Sequence, residues 1–194
     1  MKHLLLFLLL FPGGLGQVNA QRVRLETDAG SILLELYADK APISVANFLR
    51  YVDENRYDGS RFYRVVRRDN QPQNAVKIEV IQGGFEDDTT RQLPPIPQET
   101  TQKTGLKHRD GTLSLARTTP NSGTSEFFIC INDQPELDFG GKRNPGGQGF
   151  AAFGRVVEGM DVVRRIQRGT TGPAEGQGQW LQKPVIIRSA RRVN

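Results

Sequence analysis

The chain has 194 residues, with 26 Lys and Arg against 21 Asp and Glu and a net charge of +5. That length suits one domain with a well-filled core and excludes a long multidomain chain. One cysteine, Cys130, and two histidines, His3 and His108, exclude a disulfide framework and any Cys/His zinc cluster. With 21 glycines and 11 prolines the composition is that of a turn-rich, mainly β domain and not of a helical bundle.

Lys2 and His3 lead into the apolar run 4–11, then Pro12-Gly13-Gly14, then Val18-Asn19-Ala20. This is the order of a basic region, an apolar region and a small-residue cleavage site. Cleavage is expected after Ala20, leaving 21–194 as one exported, periplasmic domain. The apolar run is less than half of the roughly 20 residues a membrane span requires, so no stable membrane insertion is expected after cleavage. A monomer is expected.

Residues 23–27 and 32–36 alternate apolar with polar or charged positions around Asp28-Ala29-Gly30, which predicts a β-hairpin. Pro42 then opens a segment with Val45, Phe48, Leu49 and Val52 on one face, predicting an amphipathic helix that ends near Asn55. Short β-rich runs follow at 61–66, 76–82, 111–116, 126–131 and 150–156, each bounded by turn-forming residues. A second helix is expected over 160–167 and a last strand over 184–188. The stretches 67–75, 86–98, 140–149 and 169–179 are predicted as loops. Many short strands with two helices fit a closed barrel whose ends the helices plug.

Nucleotide and hydrolase motifs fail on context. Gly147-Gln148-Gly149-Phe150-Ala151-Ala152 fits G-x-G-x-x-A but precedes a β-like run and opens no helix. His108 is the only histidine beyond the leader, and no serine sits on a nucleophile elbow, so His108 is expected to be a solvated loop residue. Cys130, between Ile129 and Ile131, is expected to be an inert packed thiol. The arginine clusters at 67–68, 164–168 and 188–192 lack interleaved stacking aromatics; they are expected to be solvated faces, and no nucleic acid is expected as a partner.

Several ordered motifs together resemble the cyclophilin family of peptidyl-prolyl cis–trans isomerases, most closely its exported bacterial members. They are 27–37 with 41–48, then Phe62-Tyr63-Arg64-Val65-Val66, Ile81-Gln82-Gly83-Gly84, 111–116, 124–129 and 153–160, and they cover essentially the whole chain beyond the leader. The resemblance implies a closed antiparallel eight-stranded barrel capped by two α-helices, and an enzyme that rotates X-Pro bonds in unfolded or extended polypeptides without a metal or cofactor. It implies that Arg64 is the cation aimed at the prolyl nitrogen and Gln82 the residue that helps position it. Phe128 matches the floor of the proline pocket, Leu137 and Phe150 its walls, and the backbone of Ala116, Arg117 and Thr118 the edge that pairs with substrate.

The chain departs from the family pattern at several points. The pocket aromatic and Met upstream of Gln82 are replaced by Glu79 and Val80, and an insertion falls within 67–77. Glu126 stands for a glutamine and Glu136 for an aromatic at the mouth. Because Glu126 and Phe128 lie two apart on one strand they share a face. Glu126 is therefore expected to approach Arg64 and orient it, or to compete with substrate for it. An acidic groove favouring basic flanks is the further expectation. The alternative reading is a cyclophilin-fold peptide-binding or chaperone module with weak or no isomerase activity.

Overall fold

In a computed structural model the described residues are 21–86, 88–172 and 178–193; the expected leader, 1–20, lies outside them. Eight strands are formed: β1 (Gln21–Thr27), β2 (Gly30–Leu36), β3 (Arg61–Val66), β4 (Val80–Gly84), β5 (Thr112–Leu115), β6 (Phe127–Cys130), β7 (Ala151–Glu158) and β8 (Trp180–Val193). All pair antiparallel and close in the order β1-β2-β7-β5-β6-β4-β3-β8. Closure removes every sheet edge.

The helices sit where their apolar faces can be buried. In α1 (Pro42–Asp53), Val45, Phe48, Leu49 and Val52 are all buried, as the spacing predicted, and Pro42 occupies the first turn, where its missing N–H costs nothing. Phe48 meets Tyr57, Phe127 and Phe153 with ring centroids 5.2–5.6 Å apart. Truncating such a buried ring to alanine costs about 3–5 kcal/mol. The helix α3 (Met160–Gln167) covers the other end through Val162, Val163 and Ile166. A third, four-residue helix, α2 (Thr101–Thr104), lies in a stretch too short to show a periodicity in sequence. Among the described residues no helix is long and apolar enough to cross a membrane.

Two expectations about elements are corrected. The strand expected at 76–82 runs Val80–Gly84, because 67–77 belongs to a loop that folds back on itself through Gln71: its amide nitrogen donates to the Arg67 and Ile78 carbonyls at 2.7 and 2.6 Å. The last strand is 14 residues, not five. Its arginine-rich end shows no apolar alternation; β1 supplies the ladder, pairing Arg22 with Val193 through Thr27 with Ile187. Pro184 is tolerated because it falls between the two stretches of β8 that pair with β3. The arginine clusters are largely exposed, as expected, and their side chains also make surface ion pairs. Arg188 pairs with Asp28, Arg191 with Asp58 and Arg192 with Asp53, each at 2.6 Å. Arg67 donates to the Gln167 and Gly169 carbonyls at 2.9 and 3.1 Å, capping the C-terminal end of α3.

Candidate active site

Simple alternation along β3 would bury Arg64. Phe62 points into the barrel, so Tyr63 should point out and Arg64 in. The ladder shows otherwise: Phe62 opposes Gly83 and Arg64 opposes Gln82, leaving Tyr63 as an extra residue in a β-bulge. Phe62 and Val65, three apart, consequently both enter the main core. Such a bulge re-aims side chains, and here it turns Tyr63 and Arg64 together to the outer face. Gly83 is required opposite the bulge, since a Cβ there would stand 2.8 Å from the Phe62 ring.

Arg64 is held by two amides. Its Nη1 donates to Gln82 Oε1 at 2.8 Å, and its Nε and Nη2 donate to Gln179 Oε1 at 3.0 and 2.5 Å. Burial pushes the guanidinium below its usual pKa, yet among the described residues no carboxylate pairs with it. Three of its N–H groups are engaged, and a guanidinium has five. Gln179, almost wholly buried, in turn donates to the Asn70 carbonyl at 3.1 Å, so the inserted loop 67–77 buttresses the arginine. The same loop receives Arg143, whose Nη1 donates to Gln71 Oε1 at 2.9 Å and to the Val76 carbonyl at 2.6 Å.

These groups border a cavity of about 450 Å³. Alternation on β6 sends Phe127 into the barrel and Phe128 to the outside, where it packs with Val66, Val80 and Leu137. Phe128 forms the floor, and Phe150 meets it edge-on at 5.2 Å. Ile78 joins Val80 and Leu137 in the apolar lining. Ala116, Arg117 and Thr118 form the opposite rim. The Ala116 N–H is taken by the Glu126 carbonyl at 2.8 Å and that of Thr118 by Ser122 Oγ at 3.2 Å. Among the described residues neither the N–H nor the C=O of Arg117 has a hydrogen-bond partner, so this is the backbone open to an added strand. The Arg117 side chain bends away, donating to the Gly149 carbonyl and lying 5.1 Å over the Phe150 ring. Arg64, Gln82, Val80, Ala116, Arg117, Thr118, Glu126, Phe128, Leu137 and Phe150 thus border one cavity.

The acidic residues behave differently from expectation. Glu79 faces away and accepts from Asn132 at 3.1 Å; Glu136 accepts from the Lys142 N–H at 2.7 Å; neither lines the cavity. The groove is therefore not acidic overall. Glu126 does line it but does not touch Arg64: it accepts the Tyr63 hydroxyl and the N–H groups of Phe85 and Glu86 at 2.7 and 3.2 Å. Burial raises its pKa.

His108 is also corrected. It is buried, stacks under Phe128 at 5.9 Å, and its ring nitrogens meet Asp138 Oδ1 at 2.8 Å and Ser114 Oγ at 2.9 Å. Burial pushes the Asp138 carboxyl up, but hydrogen bonds from His108 and its backbone hold it below the usual range. Ser114 is fully buried, so this Ser–His–Asp series supports the pocket floor and cannot attack a substrate. Cys130 packs in the same cluster, where burial pushes the thiol pKa up. Two residues escaped the sequence reading, Tyr63 and Gln179. Adjacency to Arg64 hid the first, because alternation puts neighbours on opposite faces. Distance hid the second, 115 residues along the chain.

Residues 22–192 match the family described as cyclophilin type peptidyl-prolyl cis-trans isomerase/CLD. A peptidyl-prolyl cis-trans isomerase of Streptomyces antibioticus is 38% identical over 170 residues, covering 87% of this chain and 96% of that protein. Peptidyl-prolyl cis-trans isomerase A of Dickeya dadantii is 35% identical, covering 93% of this chain and 89% of its own length, and isomerase B of Escherichia coli is 36% identical, covering 86% and 96%. The crystal structure of a cyclophilin type isomerase from Cryptosporidium parvum shares the fold, with a TM-score of 0.69 at 22% identity over 90% of this chain and 98% of that one. The chain belongs to the cyclophilin-type peptidyl-prolyl cis–trans isomerases. It is an enzyme of that class, a rotamase of X-Pro peptide bonds.

Proposed function

We propose that the 450 Å³ cavity holds the proline ring of an extended polypeptide against Phe128, between Leu137, Phe150 and Val80, while Arg64 acts on the prolyl nitrogen. Rotation about an X-Pro bond must cross a barrier of about 18–20 kcal/mol set by amide resonance. In the twisted amide the nitrogen becomes pyramidal and basic, and a donor aimed at it lowers that barrier with no covalent intermediate. The observation that carries this reading is the cation itself: Arg64 is fixed on one side by Gln82 and Gln179, has no carboxylate partner among the described residues, and borders the apolar pocket. The free backbone of Arg117 supports extended pairing of the substrate on the far rim.

Arg64→Ala should lower kcat/KM for an X-Pro peptide by roughly 10²–10³, the usual loss for one preorganised donor, with the melting temperature preserved. Line-broadening or exchange measurements on the peptide read the rate directly; an unchanged rate would remove Arg64 from the mechanism. Clients are proposed to be exported polypeptides folding outside the cytoplasm, with the enzyme acting as a periplasmic monomer. The support is the leader-like order of residues 2–20. N-terminal sequencing of the protein recovered from the periplasmic fraction should begin at Gln21; recovery with Met1 from the cytoplasm would refute export.

A further inference from the structure

One hydrogen-bond series links the reactive cation to a buried carboxylate. Arg64 Nη1 donates to Gln82 Oε1 at 2.8 Å, Gln82 Nε2 donates to the Tyr63 hydroxyl oxygen at 2.7 Å, and that hydroxyl donates to Glu126 Oε2. The ends have fixed polarity: a guanidinium only donates and a carboxylate only accepts. The two groups between them, an amide and a phenol, could each run either way. With both ends fixed, every link is satisfied only when the Gln82 amide turns its oxygen to Arg64.

We propose that Tyr63 and Glu126 are positioning residues for Arg64: the Glu126 carboxylate sets the direction of the series, and Tyr63 transmits it to Gln82. Three observations carry this beyond a structural tie. Glu126 Oε1 accepts two backbone N–H groups, those of Phe85 and Glu86, so the carboxylate is pinned with only Oε2 left for Tyr63. No cation among the described residues pairs with it, although holding an unpaired carboxylate out of water is costly. Gly84 leaves its Cβ position vacant, and that is the space the Glu126 carboxylate occupies.

A glutamine at 126 would have to turn its oxygen to the two N–H donors of Phe85 and Glu86. Its NH2 would then face Tyr63, the phenol proton would turn toward Gln82, and the Gln82 amide would flip to set its own NH2 against Arg64. Tyr63 is suited to a clean test, since its ring also stacks on Trp180 at 5.0 Å and that contact survives loss of the hydroxyl.

The inference rests on Arg64 as the proline-facing cation, and Arg64→Ala is run in the same assay. Tyr63→Phe and Glu126→Gln are each expected to lower kcat roughly fivefold to tenfold, the scale of one lost hydrogen bond, with KM unchanged. The double variant should be no slower than the slower single, because both break one series. The wild-type kcat should also fall as pH drops through the raised pKa of Glu126, and Glu126→Gln should lose that limb. Among the described residues the other ionisable or charged groups facing Glu126 are Tyr63 and Tyr57, both with pKa values raised by burial and so neutral there, the Arg61–Glu86 ion pair beside its turn, and Arg64 beyond Gln82. A slow Arg64→Ala with full kcat in Tyr63→Phe, or strict additivity in the double variant, would overturn this inference alone. Full kcat in Arg64→Ala would overturn it together with the Arg64 assignment. Should Glu126→Gln fold poorly, Tyr63→Phe decides the matter by itself.

Discussion

The chemistry at the centre of this protein depends on a few side chains being held, and glycine holds some of them by absence. Gly84 has φ +143°, a region where L side chains are rare, and an added methyl would run into the Glu126 carboxylate. Gly84→Ala is therefore expected to displace Glu126 and destabilise the fold by about 1–3 kcal/mol through strain and lost hydrogen bonds. Kcat should fall with it, and thermal unfolding with a kinetic assay reads both; a neutral result would mean that the turn at 84–86 relaxes freely. Phe128 shows the same economy from the other direction. Its ring is backed by His108, which is itself fixed by Asp138 and Ser114, so the floor of the pocket is a plate with a hydrogen-bonded support beneath it.

Among the elements, the bulge in β3 and the inserted loop 67–77 do most to build the site. The bulge aims Arg64 outward, and the loop keeps Gln179 against it through the Asn70 carbonyl while Gln71 receives Arg143. Replacing 68–76 by a two-residue turn should leave the barrel closed, because every strand pairing lies outside the loop. It should lower kcat several-fold, on the order of 1 kcal/mol for a loosened buried hydrogen bond. Unchanged turnover would show the insertion to be no part of the active site. In α1, Phe48 joins the helix to the aromatic cluster of the barrel, which is why the helix is a plug and not an appendage.

For the molecule as a whole, the attachment of β8 to the end of α1 is tied to charge. Hydrogen bonds from Arg192 hold the Asp53 carboxyl below its ordinary value of 3.8, and those from Arg191 do the same for Asp58, so both acids clamp β8 to the segment around α1. A carboxyl with a depressed folded pKa contributes stability that is present above its unfolded value and lost as pH falls through the folded one. The melting temperature should accordingly decline once pH drops below about 3.8, and Asp58→Asn should flatten the decline. These pairs are partly exposed, so the effect per pair is small. A melting temperature flat between pH 5 and pH 2, on the scale where carboxylates titrate, would contradict this account. Sequence alone determined, through local periodicity, the hairpin of β1 and β2, the helices α1 and α3 and the opposite faces of Phe127 and Phe128, and, through the ordered motifs that resemble the cyclophilin family, the residues that border the cavity. The tertiary structure decided what depends on partners far along the chain. It placed the extra residue of the bulge at Tyr63, buried His108 against Asp138, brought Gln179 to Arg64, extended β8 through a polar tail, and routed Glu126 to the arginine through two intermediaries. The physical reason is common to all five. Alternation and spacing record which face of an element is apolar, whereas a polar group's partner is fixed only when the closed barrel brings distant donors and acceptors within hydrogen-bond reach.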